Sequence, residues 1–262
     1  MKLLVLVPSR LDRDRSGRPY LAGALDSIAS QERSVHPSLE IEVSIGIDQG
    51  AFLPPDLSLP AWASVSEATG RSQAAALNAA ATSIDHDFIA ILEDDDRWVP
   101  GHLGASLVAL RDHDLDFVST TQLQVDEEGA ILSIFDFPTP SGWVMRRSVW
   151  QTVGGFDAGY RYHLDNDWLG RLAAAGFRRG HLVEATAPVE PVWLTVRPWL
   201  RNVLTNGGPH SRLLRHGLDS PLVRRLVHAG SGMGALAREP VAQDTSRREY
   251  ERLATQYGRI PW

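Results

Sequence analysis

The run from Phe88 to Pro100, FIAILEDDDRWVP, sets four consecutive carboxylates, Glu93, Asp94, Asp95 and Asp96, directly after an apolar segment. Two like charges a few ångströms apart repel by up to ~4 kcal/mol at an effective dielectric of 20. Such a load is tolerable when every carboxylate is solvated, or when a cation sits among them. A solvated acidic turn is the simpler reading of an isolated triplet. Attachment to a buried strand, with Trp98 and Pro100 following, favours the cation. Carboxylates joined by substrate phosphates are the usual ligands of magnesium and manganese. In open α/β sheets, ligands collect beyond the carboxyl ends of the strands, where this run falls.

A second segment able to do chemistry is SGWVMRRSVWQTVGGFDAGYRYHLDNDWLGRL, Ser141 to Leu172, in which Asp165 and Asp167 open a helical pattern. A carboxylate there caps the helix or complements its dipole. Held rigidly, it is also placed to take a proton from a poorly nucleophilic hydroxyl, an effect of about 10²–10⁴-fold in rate.

Together these segments resemble glycosyltransferase family 2, the large GT-A group, in which a strand ends in a form like L-D-x-D-D-x-W-x-P. This chain reads Leu92-Glu93-Asp94-Asp95-Asp96-Arg97-Trp98-Val99-Pro100, with Glu93 in place of the first Asp. The resemblance implies Asp95 as metal ligand with Asp96 beside it, and Asp94 near the donor ribose. Gly154-Gly155-Phe156-Asp157 matches the family's G-G-F-D, and a Gly-containing strand with Gly142 precedes Arg146-Arg147. Asp165 and Asp167 fall on the two Asp of E-D-x-D, with Leu164 in place of the Glu. In inverting members the first of these Asp is the general base that deprotonates the acceptor.

Softer matches occur in the family's order. Val7-Pro8-Ser9, with Arg10 next, is similar to V-P-[ST] segments beside the nucleotide, and Asp48 to an Asp that accepts the base N–H. Gly70, Arg71 and Ser72, with Ala76 and Asn78, resemble a G-x-x-x-A-x-N-x-G segment over the nucleotide. Pro8, Ser9, Arg10, Asp48, Arg71, Asn78, Asp94 and Gly142 therefore form the implied nucleotide-sugar-binding set. Members often add a late His to the metal; His210 is the first choice here, ahead of His181 and His163. Arg197, Arg201 and Arg212 are candidates for the diphosphate. The loop carrying Arg10, Arg13, Arg15 and Arg18 is a candidate cover for the nucleotide.

The implied activity is that of a hexosyltransferase-like glycosyltransferase dependent on Mn2+ or Mg2+. It would move a sugar from a nucleoside-diphosphate sugar, a UDP-sugar favoured, to a hydroxyl-bearing acceptor (a saccharide, lipid-linked glycan or small molecule) by inverting displacement. A retaining enzyme on the same fold is the nearest alternative, separable by the product anomer. A sugar-1-phosphate nucleotidyltransferase would open with a Gly-rich loop, whereas the loop after the first strand carries only Gly17. A non-catalytic binding module would not need both Asp95 and Asp165.

The elements that must position these residues alternate strand and helix. Leu3 to Val7 and Phe88 to Leu92 read as strands covered on both faces, and Ile41 to Ile47 as a strand ending at Asp48. Helical spacing marks Tyr20–Ala29, Ser72–Ala81, Gly101–Arg111 and Asp165–Ala175. Strands are expected at Phe117–Leu123, Ile131–Phe135 and Ser141–Arg146. The expected fold is α/β: a GT-A fold with a Rossmann-like, mostly parallel sheet flanked by helices. The expected division is a GT-A domain over 1–197, with a nucleotide-sugar half (1–100) and an acceptor half (101–197). Composition shifts at Pro188, Pro191 and Pro198, so 198–262 reads as a C-terminal helical extension. It has little strand character and a last helix beyond a Thr245/Ser246 cap, and its apolar Trp199, Tyr250, Leu253, Tyr257 and Trp262 need burial.

The chain has 262 residues, 43% hydrophobic, ample for a core. A net charge of −6 argues against nucleic acid as partner. The absence of cysteine excludes disulfides and thiolate chemistry. The apolar N-terminus is too short for a leader and meets Arg10 to Arg15 at once. No window approaches the ~20 apolar residues of a membrane span. The expectation is a cytoplasmic protein, peripheral at the membrane if its acceptor lies there, with a homo-oligomer left open.

Overall fold

The structure is a computed structural model that describes residues 1–31, 38–82, 85–186, 197, 200 and 210–261. In its first half β1 (Lys2–Ser9), α1 (Tyr20–Ala29), β2 (Glu40–Ile47), β3 (Ala63–Glu67), α2 (Gln73–Ala80) and β4 (Phe88–Ile91) follow one another. The middle holds β5 (Arg97–Trp98), α3 (His102–Asp112), β6 (Phe117–Thr120), β7 (Gln122–Val125), β8 (Ile131–Phe135), β9 (Val144–Arg146), α4 (Arg147–Val153), α5 (Leu164–Ala174) and β10 (Arg179–Val183). Then come β11 (Ser211–Arg215), β12 (Val223–Leu226), α6 (Gly232–Arg238) and α7 (Pro240–Tyr257).

The main sheet has the order β11-β10-β6-β9-β4-β1-β2-β3, parallel throughout except for β9. Alternation along β1 builds a core on each face. Leu3, Val5 and Val7 pack with Leu21, Leu25 and Ile28 of α1 and Leu103 and Leu107 of α3. Leu4 and Leu6 pack with α2, α4 and α5 around Trp143, Phe156 and Trp168, where the Trp143 and Trp168 rings lie 4.9 Å apart. Ser72 caps α2 by accepting the Ala75 N–H at 3.1 Å. Gly46 lets that helix lie on β2, since a Cβ there would stand 1.8 Å from the Ala76 carbonyl oxygen.

Four expectations are corrected. The strand expected over Phe117–Leu123 is two strands in different sheets, β6 in the large one and β7 in a small sheet ordered β5-β12-β7-β8. The expected Ser141–Arg146 strand is shorter, because a 3-10 turn occupies Pro140–Gly142. The segment beyond 198 is not only helical. β11 extends the main sheet by pairing with β10, and β12 lies between β5 and β7. α7 also begins at Pro240 rather than at a Thr245/Ser246 cap, because proline suits a first helical position. Pro188, Pro191, Pro198, Trp199, Arg201 and Trp262 lie outside the described residues. Among the described residues no helix is long and apolar enough to cross a membrane.

Candidate functional site

Parallel strands deliver their carboxyl ends to one edge, and the chemistry-bearing residues gather there. β4 continues to Leu92, whose N–H donates to the Leu6 carbonyl at 3.1 Å. The chain then turns, with the Asp96 N–H donating to the Glu93 carbonyl at 3.1 Å. Arg97 holds this turn by its backbone, donating to the carbonyls of Asp94 (3.2 Å), Asp96 (2.6 Å) and Tyr20 (3.1 Å). Gly23 of α1 leaves room for the guanidinium, since a Cβ there would lie 2.2 Å from it. Trp98 Nε1 donates to the Ser141 carbonyl at 2.7 Å, and Ser141 Oγ accepts the Glu93 N–H at 3.1 Å. With the backbone tied down, the carboxyl groups remain for other work.

Glu93, Asp95 and Asp96 each bring an oxygen within 4.8 Å of the others. Asp96 is buried; its Oδ1 accepts the Leu226 N–H at 2.9 Å, while Oδ2 has no hydrogen-bond partner among the described residues. Ser141 lies near but is engaged with Glu93. Burial, then the Asp95 charge, lifts Glu93 and Asp94 to about 7 and Asp96 well above the usual carboxylate range. An unpartnered buried oxygen among repelling carboxylates fits a hard divalent cation such as Mg2+ or Mn2+. Asp94 is not one of this group and accepts from Ser9 Oγ at 2.5 Å.

The histidine beside the cluster is His228, not His210. His228 Nε2 lies 3.1 Å from Asp95 Oδ2, and that carboxylate holds the imidazole above its ordinary range. His210 is exposed and immediately precedes β11, which runs parallel with β10 and β6. It therefore sits at the edge of the sheet opposite the acidic turn. His181 is buried in β10 beside Ser119 and Thr121, where burial lowers it to about 4. His163 engages Asn166 and Ser246.

Two adjoining cavities meet at the turn. One of about 190 Å³ is lined by Pro8, Ser9, Arg10, Asp48, Arg71, Asp94 and Asp95, so most of the implied nucleotide-sugar set converges. Asn78 and Gly142 do not line it. Asn78 spends its amide on Phe156, donating to the carbonyl and accepting the N–H, both at 2.8 Å. It clamps the Gly154-Gly155-Phe156 turn onto α2. Gly142 is buried against Thr120, whose Oγ1 would meet a Cβ at 2.9 Å. The arginine loop is largely spent on acids: Arg13 pairs with Asp56, Arg15 with Glu127 and Glu128, and Arg18 with Asp26. Arg10 also reaches the Gly230 carbonyl at 2.8 Å. Arg197 is buried between Asp136 and Glu184, away from any phosphate role, and Arg212 lies in β11.

The second cavity, about 900 Å³, shares Glu93 and Asp95 with the first and is also lined by Asp165. Asp165 lies in the first turn of α5 and accepts the Asn166 N–H at 2.8 Å; burial raises its pKa. Asp167 is different. It is buried, with Oδ2 taking Arg171 Nε at 2.9 Å and Oδ1 taking the Tyr257 hydroxyl at 3.1 Å. It holds the helix and does not face the cavity.

Residues that local patterns did not single out complete the site. Glu249 of α7 accepts the N–H groups of Arg161, Tyr162 and His163 at 2.7, 2.9 and 3.1 Å, and so fixes the loop entering α5. Gln73 donates to Glu93. The positive charge of Arg225 in β12 acts on Glu93, Asp96 and Asp165, opposing in part the rise that burial imposes on each. No nearby spacing signals these contacts, because each joins elements distant in the chain.

No family model matches the chain, and no curated protein does. Among solved structures the chain is similar to S. aureus TarS 1–349 in complex with UDP-GlcNAc, at TM-score 0.55 and 13% identity over 90% of this chain and 61% of that one. It is also similar to TarS 1–349 in complex with UDP, at TM-score 0.54 and 12% identity over 97% and 72%. S. aureus TarS itself gives TM-score 0.51 and 13% identity over 97% and 43%. The chain thus spans between 43% and 72% of the length of these structures. At such identity the likeness establishes the fold, which is GT-A-like.

Proposed function

We propose that this chain is a divalent-cation-dependent glycosyltransferase that moves a sugar from a nucleoside-diphosphate sugar to a hydroxyl acceptor with inversion. The observation that carries the reading is the arrangement of carboxylates. Glu93, Asp95 and Asp96 form one group where two cavities meet, and Asp165 lines the larger cavity with no side-chain hydrogen bond among the described residues to spend it.

In this reading Ser9, Asp48 and Arg71 hold the nucleoside, and Glu93, Asp95 and Asp96 hold Mn2+ or Mg2+, with His228 replacing His210 beside them. The cation, when bound, offsets charge on the leaving diphosphate. Asp165 accepts the acceptor's proton as the acceptor oxygen bonds to the anomeric carbon. The bond from that carbon to the diphosphate oxygen breaks, and its electron pair leaves with the diphosphate. Arg225, facing both carboxylate groups, is placed to receive negative charge developing between them.

The test is calorimetric titration with UDP and with UDP-GlcNAc, in Mn2+ and in chelator, for the parent chain and Asp95→Ala. Binding should be tighter with Mn2+ in the parent and lose that dependence in the folded variant. Metal-independent binding of both ligands to the parent would exclude the reading.

A further inference from the structure

The larger cavity is more than a space for a reacting hydroxyl. At about 900 Å³ it is near the upper end for sites that enclose a small molecule. Besides its carboxylates and polar groups, its wall carries an aliphatic and aromatic set: Leu132, Phe135 and Phe137 from the β8 region, Met233 and Leu236 from α6, and Ile260. Leu132 and Met233 are 52% and 54% exposed, and α6 buries none of its residues. Apolar side chains held open to solvent on the wall of a reaction cavity cost free energy unless a ligand covers them. A glycan can lay its C–H faces on Phe135 and Phe137, but its hydroxyls gain little against the aliphatic Leu132, Met233 and Leu236. Met233 is flexible and polarizable, which suits contact with a conformationally variable chain.

We propose that the acceptor is an amphiphile. Its hydroxyl head lies between Glu93 and Asp165, and an aliphatic chain runs along Leu132, Phe135, Met233 and Leu236. The inference rests on the transferase reading for the identity of the head site, while the chain site is defined by its own wall. The amphiphile is either free in solution or a lipid presented at a membrane surface, and the same wall serves both.

The probes are methyl, hexyl and octyl β-glucosides at monomeric concentrations, titrated into protein saturated with Mn2+ and UDP. A methylene buried completely gains about fourfold in affinity, and one half-buried about twofold, so methyl to octyl should gain ~10²-fold. Leu132→Gln with Met233→Gln, both exposed and tolerant of a polar side chain, should erase most of that gain. UDP affinity, measured first, keeps the two claims apart: its loss of Mn2+ dependence sinks the transferase reading, whereas a flat series with normal UDP binding sinks the amphiphile. An undiminished gain in the double variant would also overturn the proposed wall. A last arm presents the glucosyl head on a diacyl chain in phosphatidylcholine vesicles. Co-sedimentation of the Mn2+-UDP protein with these vesicles and not with plain ones assigns the lipid source; octyl-glucoside gain without co-sedimentation assigns the free one.

Discussion

Replacing Asp165 by Asn separates its chemistry from its place in the helix. The amide oxygen of Asn can still accept the Asn166 N–H now met at 2.8 Å, so the first turn of α5 should persist. Stability should hold, because the change removes a charge that burial already disfavours. What disappears is the basic lone pair, and transfer should fall by at least ~10²-fold, the low end for losing a general base. Asp167→Asn reverses the balance. It breaks a buried ion pair with Arg171 and weakens the Tyr257 contact. The Arg171 side chain is 28% exposed, so the cost is below that of a fully buried pair, about 2 kcal/mol. For a chain of this size that lowers Tm by roughly 4–8 °C, with transfer retained near parent levels below the transition. The assay is transfer by each variant at matched folded fraction, alongside thermal melts. The acid limb should move with it. Because burial raises Asp165, transfer by the parent should fade at a higher pH than an ordinary carboxylate would give, as protonation removes the base. If Asp167→Asn is inactive and Asp165→Asn nearly normal, the assignment of the base is wrong. If both retain transfer, neither carboxylate is the base, and a retaining mechanism is the better account.

His228→Ala should lose most of the Mn2+-dependent gain in UDP affinity by calorimetry, whereas His210→Ala should match the parent. Asn78→Ala leaves the Phe156 N–H and carbonyl without their side-chain partner, so denaturant melts should show about 2 kcal/mol lost while UDP affinity is kept. His102 is buried against Trp98 with neither ring nitrogen hydrogen-bonded among the described residues, and burial, with His216 second, lowers it to about 3. A histidine depressed in the folded state contributes stability above its unfolded pKa that is lost as pH falls toward the folded one. His102→Phe should therefore reduce the drop in stability between pH ~8 and ~5 by about 2 kcal/mol, read from melts at each pH.

The edge that carries the site is legible because strands covered on both faces have a plain signature. Leu3 to Val7 and Phe88 to Leu92 are unbroken apolar runs, and the residues just after each run must emerge at the sheet edge. That logic places the acidic turn and Ser9, and a similar one places Asp48 after its alternating strand. Strands of mixed character escape it. SRLLR and VRRL in β11 and β12 carry arginines that are exposed or, at Arg225, half-exposed, so neither alternation nor apolar content marks them; their partners β10, β7 and β5 do. The choice of histidine depends on those strands. Without β11, His210 has no assigned edge, and without β12, His228 has no reason to approach Asp95. Asn78 illustrates a different limit, because a helix-face amide beside a nucleotide pattern looks the same whether it serves a ligand or a turn 78 residues away.

Glu249 gives the molecule an order of assembly. Synthesis runs from the N-terminus, so the large sheet through β10 can collapse around most of its two cores while α7, with its buried Leu253, is still unmade. At that stage the backbone donors of Arg161, Tyr162 and His163 await their carboxylate, and the loop ahead of Asp165 is unpinned. Asp95 likewise awaits His228, and Asp96 awaits the Leu226 amide. A nascent chain would therefore be folded before it is competent.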